Sequence, residues 1–333
     1  MTVKRMTHDV AASRTATGLV LALASAMTFG LSGVLARGLL DTGWSAGAAV
    51  TVRTVIAATV LLVPGLLAVR GRGHLLRDNA GLVTVYGISA VAGAQLCYFY
   101  AVSYMQVSVA LLLEYTAPVA VVLWLWLRHG HRPSGLTVLG AAIAAGGLVL
   151  VLDVISGADL STVGVLWALG AMVGAASYFV ISADESNGLP GITLAAGGLF
   201  VASVVLGLAG AVGLLPLRAA TVPAVYDGYA VAWWLPVLAL GLVTAAFAYV
   251  TGIAAGRRLG SRLASFVALG EVLAAVVFAW LLLGELPRPV QMVGGLLVLA
   301  GVVVVKLGEG RAPLVTEPLP DEEPDRVSER PAA

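Results

Sequence analysis

Ten long apolar runs separated by short polar connectors set the pattern along this chain. They fall at roughly Ala16–Ala36, Ala46–Val69, Gly81–Val102, Val107–Leu127, Gly135–Leu152, Val163–Ile181, Ile192–Leu215, Val231–Ala255, Leu263–Leu283 and Val290–Leu307. A bilayer-spanning helix needs about 20 apolar residues, whereas a barrel strand needs about 10 with strict alternation. These runs match the helix length and lack the alternation. The connectors carry turn formers or charge, as in Asp41-Thr42-Gly43, Arg70-Gly71-Arg72-Gly73 and Asn187-Gly188-Leu189-Pro190. The pattern predicts an all-α integral membrane protein with ten transmembrane helices, numbered here as runs 1 to 10.

Two ends stand apart from the runs. Residues 1–15 are polar and read as a cytoplasmic N-terminal tail; the run behind them is too long for the core of a cleavable signal peptide. From residue 308 the chain turns acidic and proline-rich, with Glu317, Pro318, Pro320, Asp321, Glu322, Glu323, Pro324 and Asp325. Such a segment buries too little apolar surface to order itself, so 308–333 reads as a disordered tail.

Composition sharpens the assignment. Of 333 residues 59% are hydrophobic and 11% charged, far from the roughly 25% charged residues of soluble domains. A soluble enzyme of this size cannot hide so much apolar surface. A net charge of +1 gives no sign of nucleic-acid binding. The single cysteine, Cys97, forbids an internal disulfide and reads as a packed core thiol. The near absence of lysine beside abundant Ala, Gly and Val suggests a GC-rich bacterial genome. Basic residues set the orientation. With the N-terminus inside, Arg70, Arg72, Arg77, Arg128, Arg132, Arg257, Arg258 and Arg262 lie on inner connectors, against Arg37, Arg218 and Arg288 outside. The expected location is the bacterial cytoplasmic membrane, multi-pass, with both termini cytoplasmic.

The halves echo each other. Gly18-Leu-Val-Leu-Ala-Leu23 opens one and Gly164-Val-Leu-Trp-Ala-Leu169 the other. Pro118-Val119 matches Glu271-Val272, and Gly140 and Gly147 recur as Gly294 and Gly301. Five helices per half is an odd number, so the second half enters the bilayer from the opposite side, as inverted repeats of secondary transporters do.

The chain resembles the EamA-type branch of the drug/metabolite transporter superfamily. The resemblance is carried by the five-plus-five plan, Val52-Arg53-Thr54, Val109-Ala-Leu-Leu-Leu-Glu-Tyr-Thr-Ala-Pro118-Val119, and Leu283-Gly-Glu-Leu-Pro287 followed by Gln291-Met-Val-Gly294. The first half departs from the family with His131-Arg132 where Gly-Glu is usual, and the second with Glu271 where proline is usual. The resemblance implies repeats over 16–153 and 162–307. It also implies movement of small metabolites, often amino acids or derivatives and commonly outward.

Three charges stand at membrane depth, where each costs several kcal/mol and normally faces an interior or a cavity. Arg53 and Glu114 each lie seven residues into runs 2 and 4, about 10 Å deep at 1.5 Å per residue, so an ion pair between them is plausible. It would serve either structure or a solute contact. Glu271 has no cationic counterpart, because the place matching Arg53 in the second half falls near Leu199. A desolvated carboxyl can carry a proton or sit hydrogen-bonded between helices. Gln95, Tyr98, Tyr115 and Tyr249, with Tyr100 and Tyr178, complete the polar set; each offers apolar area and a polar tip, for packing or for ligand. Trp44, Trp126, Trp233 and Trp234 read as interfacial anchors.

The expected partners are a small-molecule substrate, protons as a candidate coupling ion, and the lipid bilayer. No cofactor is expected: a phosphate-binding Gly-x-x-x-x-Gly-Lys loop is absent, and His129 and His131 have no second ligand type nearby. A polytopic membrane enzyme on a lipid-linked substrate is the alternative, although the spans lack the clustered acids such chemistry needs. Runs 5 and 10 carry no charge between Gly135 and Leu152 or between Val290 and Val305, and so should form a scaffold beside the path.

Overall fold

A computed structural model of the protein describes residues 2–116, 134–151 and 161–309. Pro118-Val119, Trp126, the connector at 128–132 and the tail beyond 309 lie outside the described residues. Within them the chain is almost wholly helical: α1 (Thr2–Leu40), α2 (Ala46–Ala68), α3 (Ala80–Tyr104), α4 (Val107–Glu114), α5 (Gly135–Val151), α6 (Thr162–Ala183) and α7 (Gly191–Ala211). There follow α8, built from Trp234–Gly241, Leu242–Phe247 and Ala248–Ala268, then α9 (Gly270–Leu283) and α10 (Pro289–Glu309). A single helical turn, Gly73–Asp78, leads into α3.

Six of these helices are long and apolar enough to cross a membrane: α1, α2, α3, α6, α7 and α8. α5, α9 and α10 are shorter apolar helices. Large side chains such as Val20, Leu67, Leu166, Val180 and Leu296 point outward uncovered, as they must when lipid is the solvent.

Several boundaries differ from the sequence expectation. The helix of α1 runs back to Thr2, through the whole polar tail. Nothing in that tail breaks a helix: no proline or glycine precedes Gly18. α8 continues through Arg257-Arg258, expected as a loop, again without a proline to stop it. Ser45 caps α2, accepting from Ala48 N–H at 3.2 Å while its hydroxyl donates to Pro216 O at 2.6 Å. Gly284 ends α9 with φ +66°, its N–H bonding Trp280 O at 3.2 Å in the αL capping pattern, and Glu285 N–H bonds Ala279 O at 3.1 Å.

Two strands were not expected. Ala224–Tyr226 (β1) and Tyr229–Val231 (β2) form an antiparallel hairpin between α7 and α8. Its turn is Asp227-Gly228 with φ +46° and +80°, the dipeptide that primed hairpin turns favour. Tyr226 anchors the hairpin by donating to Leu35 O at 2.9 Å, its ring lying on Gly38.

Helix packing crosses between the halves. α1 packs on α8 and α9, α3 on α6, α4 on α6 and α9, α2 on α7, and α5 on α10. Replacing every helix by its counterpart five places on returns the same set of neighbours. In the α5–α10 pair, Gly147 faces Gly294 O and Gly301 faces Gly140 O, so the two backbones touch. No side chain fits there.

Candidate functional site

The bundle's buried charge centres on Arg53. It leaves α2 with 1% of its surface exposed, the largest fully buried side chain among the described residues. One terminal nitrogen donates to Gln95 Oε1 on α3 and the other to the Thr244 carbonyl on α8. Its plane lies 5.5 Å from the centre of the Phe99 ring. The Nε–H has no partner among the described residues. Hence a positive charge is held at depth by neutral acceptors with its Nε edge unpaired, an arrangement that costs several kcal/mol until an anion completes it.

Both flanking helices are distorted there. Tyr86–Gly93 in α3 and Leu242–Phe247 in α8 are π-helical, and the two segments fall at corresponding places in the two halves. A π turn moves the ladder to i→i−5, as Ala248 N–H to Val243 O shows, and such turns gather at functional sites. Thr244, whose carbonyl receives Arg53, lies inside one. Ala90, whose carbonyl faces the Tyr249 hydroxyl at 3.5 Å, lies inside the other.

The remaining candidates fall around this arginine. Tyr249 lies beside Gln95 and meets Phe29 and Tyr178 edge-on at 5.2 and 5.7 Å. Tyr98 is buried with its hydroxyl against Gly33 of α1. Tyr115 donates to Glu271 Oε2 at 2.7 Å, joining the end of α4 to the start of α9. Glu114, half-buried, has no hydrogen bond among the described residues. Arg53, Glu114 and Glu271 feel one another's charge without touching.

The expected Arg53–Glu114 ion pair is not formed. The arginine's terminal donors are taken by Gln95 and Thr244, which lie nearer along its reach. Glu271, expected to lack a cationic partner, has a phenol instead. Trp44 is not an interfacial anchor: it is 5% exposed, donates to Ala220 O at 2.7 Å and lies 6.2 Å from Trp233. Tyr100 stacks on Trp167 at 4.6 Å, away from this cluster. Thr244 was missed because only its carbonyl takes part. Phe99 was missed because an aromatic in an apolar run carries no signal of its own.

At the end of the bundle where α1 and α9 finish lies a cleft of about 470 Å³. Arg37, Asp41, Asp227 and Glu285 line it, and none of the sequence candidates does. Arg37 pairs with Asp41 at 3.1 Å and donates to Val102 O at 2.9 Å. Glu285 accepts from Val107 N–H at 3.4 Å; burial pushes its carboxyl above the usual range, with Arg37 opposing.

Comparison with known proteins places this architecture. The sequence model of the EamA-like transporter family matches residues 16–153 and 162–307. A "Probable terminal-alkyne amino-acid exporter" from Streptantibioticus cattleyicolor is 29% identical over 274 residues, covering 80% of this chain and 85% of the relative. A solved structure titled only "Crystal structure of protein" aligns with TM-score 0.58 at 20% identity, covering 88% of this chain and 97% of its own. That likeness concerns the fold alone.

Proposed function

This chain belongs to the EamA-like transporter family, and from that premise we propose that it is a secondary transporter exporting small metabolites, amino acids or their derivatives, by alternating access. The observation that carries the reading is Arg53, a buried guanidinium bridging α2 and α8 whose Nε–H has no partner among the described residues. Structure alone has no need of an incompletely paired charge at membrane depth. A solute passing between the halves does.

In this reading the protein lies in the bacterial cytoplasmic membrane with ten spans in two inverted five-helix repeats, 16–153 and 162–307, and both termini cytoplasmic. Arg53, Gln95, Tyr98, Glu114, Tyr115, Tyr249 and Glu271 line the path. Glu271, shielded by Tyr115, carries the proton if transport is proton-coupled. The protein works as a carrier, not an enzyme, and uses no cofactor. The exporter named above supports the amino-acid class and the outward direction, and 29% identity extends over most of both chains.

The test is efflux of a radiolabelled amino-acid panel from proteoliposomes of the purified protein without nucleotide. Flux above empty liposomes, abolished by Arg53→Ala at equal protein incorporation, is expected. No flux of any panel member in either direction overturns the proposal.

A further inference from the structure

Resting on that transporter reading, we infer that the site recognises the two ends of a zwitterion separately, Arg53 taking the carboxylate and Glu114 the ammonium group. The carboxylate half follows from Arg53's contacts. Guanidinium binds carboxylates through two parallel N–H donors, most strongly when the site is dry. Here Gln95 Oε1 and Thr244 O hold the terminal nitrogens while Nε–H, buried in a side chain 1% exposed, has no acceptor among the described residues. A carboxylate approaching along the Nε edge satisfies that donor and takes one terminal N–H from a neutral oxygen. The exchange replaces a neutral acceptor of the guanidinium by an ionised one, which makes the shorter and stronger bond. The neutral acceptors are placeholders.

The ammonium half follows by comparing the two acids. Glu271 already accepts from Tyr115 at 2.7 Å, whereas Glu114 has no hydrogen bond among the described residues. Both lie in range of Arg53's charge, yet neither forms an ion pair with it. Opposite charges held apart suit a molecule carrying both. Glu114 is therefore the carboxylate that remains open to an amino group, and Glu271 is not.

The experiment compares three probes of one carbon skeleton in proteoliposomes: L-norvaline, L-norvalinamide and valerate. Wild type should move norvaline faster than either analogue, on the order of tenfold or more per lost charge-assisted contact. Glu114→Gln should bring the norvaline-to-valerate ratio down toward one. Glu271→Gln should not alter the norvaline-to-valerate ratio. Gln95→Glu gives Arg53 an internal carboxylate. It should abolish norvaline flux while the melting temperature in detergent is held or raised, which separates occupancy of the site from misfolding. Equal flux of norvaline and norvalinamide, or full norvaline flux in Gln95→Glu, overturns the carboxylate role. An unchanged ratio in Glu114→Gln overturns the ammonium role. Either result leaves the carrier itself in place, whereas silence of wild type toward all three probes and the wider amino-acid panel overturns the transporter reading as well.

Discussion

Glu285 lies in the loop after α9, and its carboxylate reaches across to the first N–H of α4, within the other family-matched segment. The Gly-Glu pair that carried part of the resemblance has two separable jobs here. Gly284 takes the left-handed conformation that stops α9, and Glu285 accepts from one of α4's otherwise unpaired N–H groups. Burial raises the Glu285 carboxyl pKa, so its charged form is disfavoured in the fold relative to the unfolded chain. The stability associated with its proton is present below the unfolded value and is lost as pH rises through the folded one. Glu285→Gln keeps an acceptor without the charge. We expect its melting temperature in detergent, relative to wild type, to be higher at pH 7 than at pH 4. Glu285→Ala removes the acceptor and should lose about 1 kcal/mol, the usual value of a lost N-terminal cap. A Gln variant that melts below wild type by the same margin at both pH values contradicts the assignment.

Candidate residues with an ionisable or amide side chain stand out because such groups are rare in these runs: Arg53, Gln95, Glu114 and Glu271 are conspicuous against Ala, Val and Leu. Their partners were not. Depth arithmetic put Arg53 level with Glu114, but a bond depends on which face of each helix the residue occupies. The π turns alter that phase and leave no mark in the sequence.

At the level of elements, apolar run length located most helices to within a few residues. It could not find α1's extension to Thr2, which depends on the absence of breakers, nor the helical course of α8 through Arg257. The hairpin was a different kind of miss. Tyr226-Asp227-Gly228-Tyr229 is a strong turn signal, overlooked because the strands are three residues each and sit between two membrane helices. The α5–α10 contact gives a sharp test. A Cβ on Gly147 would meet Gly294 O at 2.6 Å and Val298 N at 2.7 Å, whereas one on Gly146 meets nothing within 4 Å. Gly147→Ala forces two backbones apart and should cost about 1–3 kcal/mol. Gly146→Ala should be neutral or stabilising by up to about 1 kcal/mol, the helix-propensity difference. Thermal unfolding of the two variants in one detergent checks this; equal melting temperatures would remove the backbone contact as the reason for these glycines.

Across the whole molecule, the neighbour pattern that survives exchange of each helix with its counterpart bears on how the bundle can move. α5 and α10 contact chiefly each other, while α1, α3, α6 and α8 pack on one another across the halves, with α4 and α9 meeting at Tyr115 and Glu271. Rocking of the halves would separate the interleaved set and leave the glycine-packed pair together. Tyr98, Tyr115 and Tyr249 are 5%, 8% and 1% exposed, so labelling all three requires them to become more accessible than they are here. In a Cys97→Ala background, cysteines at Gln95, Tyr98, Tyr115 and Tyr249 should react with a water-soluble thiol reagent, and a transported solute should protect them. Val149 is 47% exposed and Val298 fully buried; a cysteine at the first should face lipid and at the second the α5–α10 packing, so neither should react. Exposure without reactivity at Val149 is the informative case, because it separates lipid from water at a single position. Substrate-protected labelling at Val149 or Val298, with silence at the other four, would move the path to the far side of the bundle and sink the assignment of α5 and α10 as scaffold.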